Sequence, residues 1–325
     1  MKIRRVLLAA MAAMLLLVAA LVGAAVAASS HSPLLFLRGQ ELWTADSQGQ
    51  GQRRVAAGGV IDEWSPPALS PDGHWAVAVR ADYSDETGLG RALVRIPLQG
   101  GQPAPLVLPD VHSVVDPSVS ADGAAVVFVA AVNVRTTQEQ MAVGDVAILR
   151  LDLATGSLQA LHTVSEVFFD AGHSLAAPAL SSDGARLAVQ ESGSDVSGGF
   201  FVLDREGKEV FRHPRDPEDY RPYWRPQFTP AGDAVLCYRL ATDGSGQGDM
   251  LLVELRSGTE RLLGQGLAPV FVDGGQAIVF ERVRPGAEPD TTDLWRLDLT
   301  PGAQARMIVK DGRSPVSTPP AAQRP

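Results

Sequence analysis

Short apolar runs bounded by turn residues recur along almost the whole chain. The clearest are Trp75–Val79, Ala125–Ala131, Leu187–Gln190, Ala234–Tyr238 and Ala277–Glu281. Runs of this length between Gly-, Pro- and Asp-rich breaks predict β-strands. Only the N-terminus departs from the pattern. There an uncharged apolar run from Val6 to Ala28 follows Lys2, Arg4 and Arg5. A basic start and a long apolar run form an export segment, expected to be a hydrophobic helix over residues 1–28. Ala25-Val-Ala27 offers a cleavage site just after Ala27, while the length also suits a retained anchor. Both readings place the chain from about Ser29 onward outside the cytoplasm.

The apolar runs are preceded by a repeated motif: Pro, any residue, an apolar residue, Ser or Thr, any residue, Asp, Gly. Full copies are Pro67-Ala-Leu-Ser-Pro-Asp-Gly73, Pro117-Ser-Val-Ser-Ala-Asp-Gly123 and Pro178-Ala-Leu-Ser-Ser-Asp-Gly184. Degenerate copies start at Pro226 and Pro269, and a truncated one stands at Pro315-Val-Ser317. The period is close to 50 residues. Asp-Gly between apolar runs is a hairpin signal, because Gly accepts a positive φ and Asp bonds the turn backbone. Proline cannot donate to a ladder, so it belongs on an edge strand. A second apolar run and a Gly-containing turn follow each motif, giving four short strands per unit.

Units of this size and content predict a β-propeller blade. The expected fold is all-β: a six-bladed β-propeller of four-stranded antiparallel blades over residues 29–317. Leu34–Leu37, Glu41–Asp46 and Arg53–Ala56 precede the first motif, and Pro315 opens the last. N- and C-terminal strands sharing one blade would therefore close the ring. Residues 318–325 are expected to be a disordered tail.

These repeats resemble those of the TolB-like, WD-repeat-like propellers, in which a Ser-Pro-Asp-Gly turn leads into an apolar strand. Ser70-Pro-Asp-Gly73 matches that core outright, and Ser120–Gly123 and Ser181–Gly184 match with the proline replaced. The resemblance spans roughly Pro33 to Ser317 and implies the fold, since the repeat residues shape turns and carry no chemistry. No separate N-terminal α/β domain of the Tol-system kind accompanies it.

Composition narrows the function. The chain has 325 residues, 45% of them hydrophobic, and a formal net charge of -9. Removing the export segment takes away three positive charges and leaves -12. So acidic a domain is not a nucleic-acid binder. The single cysteine, Cys237, excludes disulfides and thiolate zinc sites, and is expected to be a buried small hydrophobe. No G-x-S-x-G, H-E-x-x-H, P-loop or EF-hand motif occurs. The six histidines, at 31, 74, 112, 162, 173 and 213, show no ligand-like spacing and read as surface or loop residues. No cofactor or metal is expected.

A binding site is expected on the face carrying the long loops, Asp82–Arg91, Asn133–Gly144, Phe168–Ala177, His213–Arg225 and Arg282–Asp293. Tyr220, Tyr223, Trp224 and Arg225 form one candidate cluster for a peptide, carboxylate or sugar, with Trp224 alternatively filling space between blades. Asp82, Asp85 and Glu86 form an acidic loop that is either a cation site or simply solvated. Arg135 and His173 complete the set. The expected function is a non-catalytic, monomeric, extracytoplasmic propeller that binds a protein or peptide partner in the cell envelope, with membrane contact only through the N-terminal segment. The alternative is a carbohydrate hydrolase or lyase with its site at the channel mouth. N-terminal sequencing of the mature chain separates signal from anchor: a start at Ala28 marks cleavage, a start at the initiator end marks retention.

Overall fold

The structure is a computed structural model describing residues 31–55, 61–62, 65–81, 90–136, 142–168, 175–191, 198–213, 221–243, 245–286 and 291–319. The export segment and residues 320–325 lie outside the described residues. The chain enters as β1 (Pro33–Arg38), β2 (Glu41–Asp46) and β3 (Arg53–Arg54). Blade 1 comprises β4 (Ala68–Leu69), β5 (Trp75–Ala81), β6 (Arg91–Pro97) and β7 (Ala104–Pro105). Blade 2 comprises β8 (His112–Val119), β9 (Ala125–Thr136), β10 (Ala142–Asp152) and β11 (Leu158–Phe168). Blade 3 follows as β12 (Leu175–Leu180), β13 (Arg186–Glu191), β14 (Phe200–Asp204) and β15 (Glu209–Arg212). Blade 4 is β16 (Trp224–Phe228), β17 (Ala234–Leu240), β18 (Gly248–Glu254) and β19 (Glu260–Gln265). Blade 5 is β20 (Leu267–Val272), β21 (Ala277–Val283), β22 (Thr292–Asp298) and β23 (Arg306–Val309).

The last strand, β24 (Arg313–Ser317), pairs antiparallel with β1, matching Leu34 to Ser317 and Leu35 to Val316. Blade 6 is thus β24-β1-β2-β3, and the ring closes as the repeats predicted. Each blade has four antiparallel strands in simple order, with the proline-motif strand innermost.

The near-continuous apolar runs have a geometric cause. Successive side chains on a strand point to opposite faces, and both faces of a blade meet a neighbour. On β1, Leu34 and Phe36 pack toward blade 5, whereas Leu35 and Leu37 pack toward blade 1. On β9, Val126 and Phe128 meet blade 1 while Val127 and Val129 meet blade 3. The core is therefore divided into six apolar layers, one at each blade interface.

The motif turn is a small hydrogen-bonded device. Ser120 Oγ donates to Asp122 Oδ1 at 2.6 Å and accepts the Ala125 amide at 2.9 Å. Asp122 Oδ1 also accepts the Ala124 amide, and Gly123 takes φ 71°. Ser70–Asp72–Gly73 and Ser181–Asp183–Gly184 repeat this geometry. The serine hydroxyl bonds hold all three aspartates below the usual carboxylate range. In blade 5 the serine is replaced by Val272, and residues Asp273–Gly275 form a single 3-10 turn instead. Asp273, at the motif's variable position, reaches blade 6, accepting from Ser32 N and Ser47 Oγ at 2.8 Å, and also accepts from Arg296 Nη1 of its own blade.

Ser120 is buried, so Ser120→Ala removes one donor and strands one amide. Urea unfolding should show a loss of about 1–2 kcal/mol; an unchanged midpoint would mean that the motif serine is not a structural group.

Candidate functional site

In five of the six inner strands the residue immediately before the motif proline is held in an unusual conformation. Asp116, Ala177, Arg225, Ala268 and Ser314 all have positive φ, between 45° and 52°. The sixth position is Pro66, whose ring forbids this conformation. Left-handed backbone at a non-glycine residue costs roughly 1–2 kcal/mol. A register shift accompanies it in blades 2 to 6, so the strand bulges at the channel mouth.

The bulge turns the residue's amide away from its own ladder and toward the preceding blade. Asp116 N donates to Ser65 Oγ at 2.7 Å, and Ala177 N to Asp116 Oδ2 at 2.9 Å. Arg225 N donates to Gln190 Oε1 at 3.0 Å, and Ser314 N to Glu281 Oε1 at 2.8 Å. The acceptors Gln190 and Glu281 stand at equivalent registers, each opposite the residue that precedes the left-handed one; Tyr238 occupies the same register in blade 4. These bonds form a polar belt around much of the mouth, linking blade 1 to 2, 2 to 3, 3 to 4 and 5 to 6.

Inside this belt lies a cavity of about 140 Å³ walled by all six inner strands. Its lining is dominated by proline rings and small or apolar side chains; Asp116 and Arg225 are its charged members. Burial pushes the Asp116 carboxyl up, against the opposing pull of the Ala177 amide and the Arg225 charge. The ion pair of buried Asp62 and part-exposed Arg91, joined at 2.7 Å, stands beside it. Glu281 is 8% exposed, and burial raises its carboxyl too, against the Arg225 charge and the Ser314 amide. Burial likewise raises the Tyr238 phenol, which also feels Arg225 and Glu281. Arg225 thus interacts with Asp116 of blade 2 and with Glu281 of blade 5, which face each other across the ring. Yet its guanidinium makes no hydrogen bond or ion pair with any described residue.

A second polar cluster fixes the approach to Arg225. Tyr223 donates to Glu260 Oε1 at 2.5 Å, His213 Nε2 lies 2.8 Å from the same oxygen, and Arg239 Nη1 donates to the Tyr223 hydroxyl at 3.0 Å. His213 packs edge-on to Tyr223 and parallel to Phe211. Burial pushes the Glu260 carboxyl up, but the bonds from Tyr223 and His213 and the Arg239 charge outweigh it and leave it below its ordinary value. Burial and the Glu260 carboxylate raise the Tyr223 phenol.

Two sequence readings are corrected here. Tyr223 is 5% exposed, packed between blades 3 and 4, and so is not offered to a partner. His213 is also 5% exposed, contrary to its reading as a surface imidazole. Cys237 is buried as expected. Trp224 is half-buried, and its indole nitrogen has no partner among the described residues. Arg135 is exposed near the end of β9, in the tall blade 2, and is not part of the Arg225 cluster. Asp82, Asp85, Glu86, His173 and Tyr220 lie outside the described residues. Asp116, Tyr238 and Glu281 were missed. Asp116 was reachable, since it holds the same place before a motif proline as Arg225. Among the described residues no group of three or more His, Cys, Asp or Glu side chains could hold a metal ion.

Comparison with solved structures agrees with this architecture. TolB from Acinetobacter baumannii superposes with a TM-score of 0.62 at 17% identity, over 89% of this chain and 67% of that one. The chain has the propeller fold of TolB. A protein assigned as TolB from Agrobacterium tumefaciens gives 0.60 at 16% identity, over 87% and 91% of the two chains. Oligogalacturonate lyase from Vibrio parahaemolyticus gives 0.54 at 14% identity, over 83% and 71%. At these identities the likeness to TolB and to the lyase is one of fold. No protein-family model matches the sequence, and no curated protein matches it either.

The raised carboxyl of Asp116 favours its neutral form in the folded state, so ionisation costs stability above the folded pKa, and acidification relieves that cost. Asp116→Asn keeps the oxygen that accepts Ala177 N. It should match or exceed the parent's stability at pH 8, with the difference shrinking as pH falls. Glu260 has the opposite sign: its contribution is present above the ordinary carboxylate range and is lost as pH falls through its lowered value. Tyr223→Phe should cost about 1–2 kcal/mol in denaturant unfolding and blunt that acid sensitivity.

Proposed function

We propose that this protein is a non-catalytic, extracytoplasmic β-propeller that captures a protein or peptide partner at the belted mouth of its central channel. The observation that supports it is the Arg225 guanidinium, unpaired among the described residues, set on a strained backbone in a cavity to which every blade contributes. Strain of this kind is kept where function uses it. The extracytoplasmic placement rests on the basic and apolar N-terminal sequence; among the described residues no helix is long and apolar enough to cross a membrane. Trp224, next in the chain and with a buried unpartnered N–H, supplies an aromatic anchor beside the mouth. A single copy suffices for this site, because all six blades come from one chain.

A second reading has one observation in its favour. Asp116 and Glu281 are two buried carboxyls, both raised by burial, around one arginine. Carboxyls kept protonated by their surroundings serve as general acids in glycan cleavage. Appearance of cleaved product from oligogalacturonate or another acidic glycan, lost in Glu281→Gln, would favour that reading.

The partner reading is tested by capture from envelope extract with the parent, Trp224→Ala and Arg225→Gln. The parent should retain a defined partner, and both variants should lose at least about tenfold in affinity, the scale of a central aromatic or arginine contact. Equal capture by all three would sink the reading.

A further inference from the structure

We infer that the channel mouth is a receptor for a carboxylate group, gripped by the guanidinium fork of Arg225 and the hydroxyl of Ser317. The inference deepens the partner reading above and names the chemistry that the partner must present.

The inventory of donors and acceptors carries it. Arg225 supplies five N–H donors in a fixed fork, none of them hydrogen-bonded to a described residue. Ser317, on the closing strand β24, lines the same cavity, and its Oγ is buried without a partner among the described residues. A buried hydroxyl is ordinarily satisfied, so that of Ser317 asks for a ligand, while the part-buried Arg225 fork stands open to one. Both of these groups can donate. A bidentate guanidinium–carboxylate pair is the geometry that the fork fits best.

The carboxylates around Arg225 each already have a partner. Asp116 Oδ2 takes the Ala177 amide, Glu281 Oε1 takes the Ser314 amide, and Asp62 is held by Arg91. Burial shifts Asp116 and Glu281 toward their neutral forms, which weakens their claim on Arg225. Arg225 is the one cationic residue among those lining the cavity. A cationic ligand would meet that charge head-on, whereas an anion would compensate it.

Size and walls limit how the carboxylate arrives. A space of about 140 Å³ between proline rings admits the end of a chain or a ring substituent, not a folded segment. Proline walls offer no N–H, so the lining competes little with Arg225 for an acceptor. The backbone root of Arg225 is also fixed, by its left-handed φ of 52° and by the bond from its amide to Gln190. Binding therefore has only the side-chain torsions of Arg225 to order, not its backbone.

Two sources carry this group, a peptide C-terminus and a uronic acid. The test titrates the full chain with N-acetylglycine and with galacturonate, each beside its neutral amide. NMR follows the arginine Nε–Hε resonances, with that of Arg225 identified as the one missing from Arg225→Lys. At least one acid should shift the Arg225 resonance saturably and bind about tenfold or more tighter than its amide, the margin of a charge-assisted pair. Arg225→Gln should abolish that preference, and Ser317→Ala should weaken acid binding by about threefold to tenfold. Whichever acid saturates names the source. Equal responses to acid and amide in the parent overturn the inference, and so does acid binding unchanged in a folded Arg225→Gln. The acid–amide comparison in the parent decides alone if that variant fails to fold. A chain that binds an acid yet captures no partner refutes the partner reading and leaves the receptor standing. Capture without any acid preference does the reverse.

Discussion

Most of the channel mouth depends on one backbone constraint: in five of the six blades the residue before the motif proline lies in the left-handed region. Proline takes away the next amide, and the bulge takes this residue's amide out of its own ladder. An amide left in the interior unbonded would cost more than the strain itself. The preceding blade supplies the acceptor, as Ser65, Asp116, Gln190 and Glu281 do in turn. Local strain and inter-blade attachment are thus two sides of one arrangement. The side chain at this position is left free of ladder duties, so substitution there tunes the mouth without altering the blade.

The blades themselves hold by ordinary means. Each interface has its own apolar layer, so no single layer is large, and closure of the ring makes the six act together. Where the repeated turn loses its serine, at Val272, the next residue, Asp273, bonds Ser32 and Ser47 across the blade 5–blade 6 interface and Arg296 within its own blade. That substitution exchanges a turn for a clasp beside the closing blade.

The period of the proline motif made blade number, strand order and ring closure legible before any coordinates. Those features are local in sequence: a turn, an edge proline, an apolar run. The site was legible only in part. Arg225 stood out because aromatic residues surround it, but the same neighbours suggested an exposed role for Tyr223, which hydrogen bonds to Glu260 and Arg239 draw inside. Glu281 is more than fifty residues from Arg225, on the next blade, and Asp116 more than a hundred, on a blade that does not adjoin it. No pattern within one repeat encodes an encounter of that kind. His213 gave no signal either, since its burial follows from the aromatic packing of Phe200, Phe211 and Tyr223 around it.

The pairing of β24 with β1 has a temporal meaning as well. Leu34 is among the first described residues to be synthesised, and its partner Ser317 among the last. The ring cannot close until β24 has been delivered, and until then β1 has an open edge. Contacts so distant in sequence are slow to form, because the intervening loop entropy must be met before they bring any gain. The channel mouth is completed by the same late step, since Ser317 is both a closing residue and a wall of the cavity. A partially delivered chain therefore has neither a sealed ring nor a complete wall to its channel mouth.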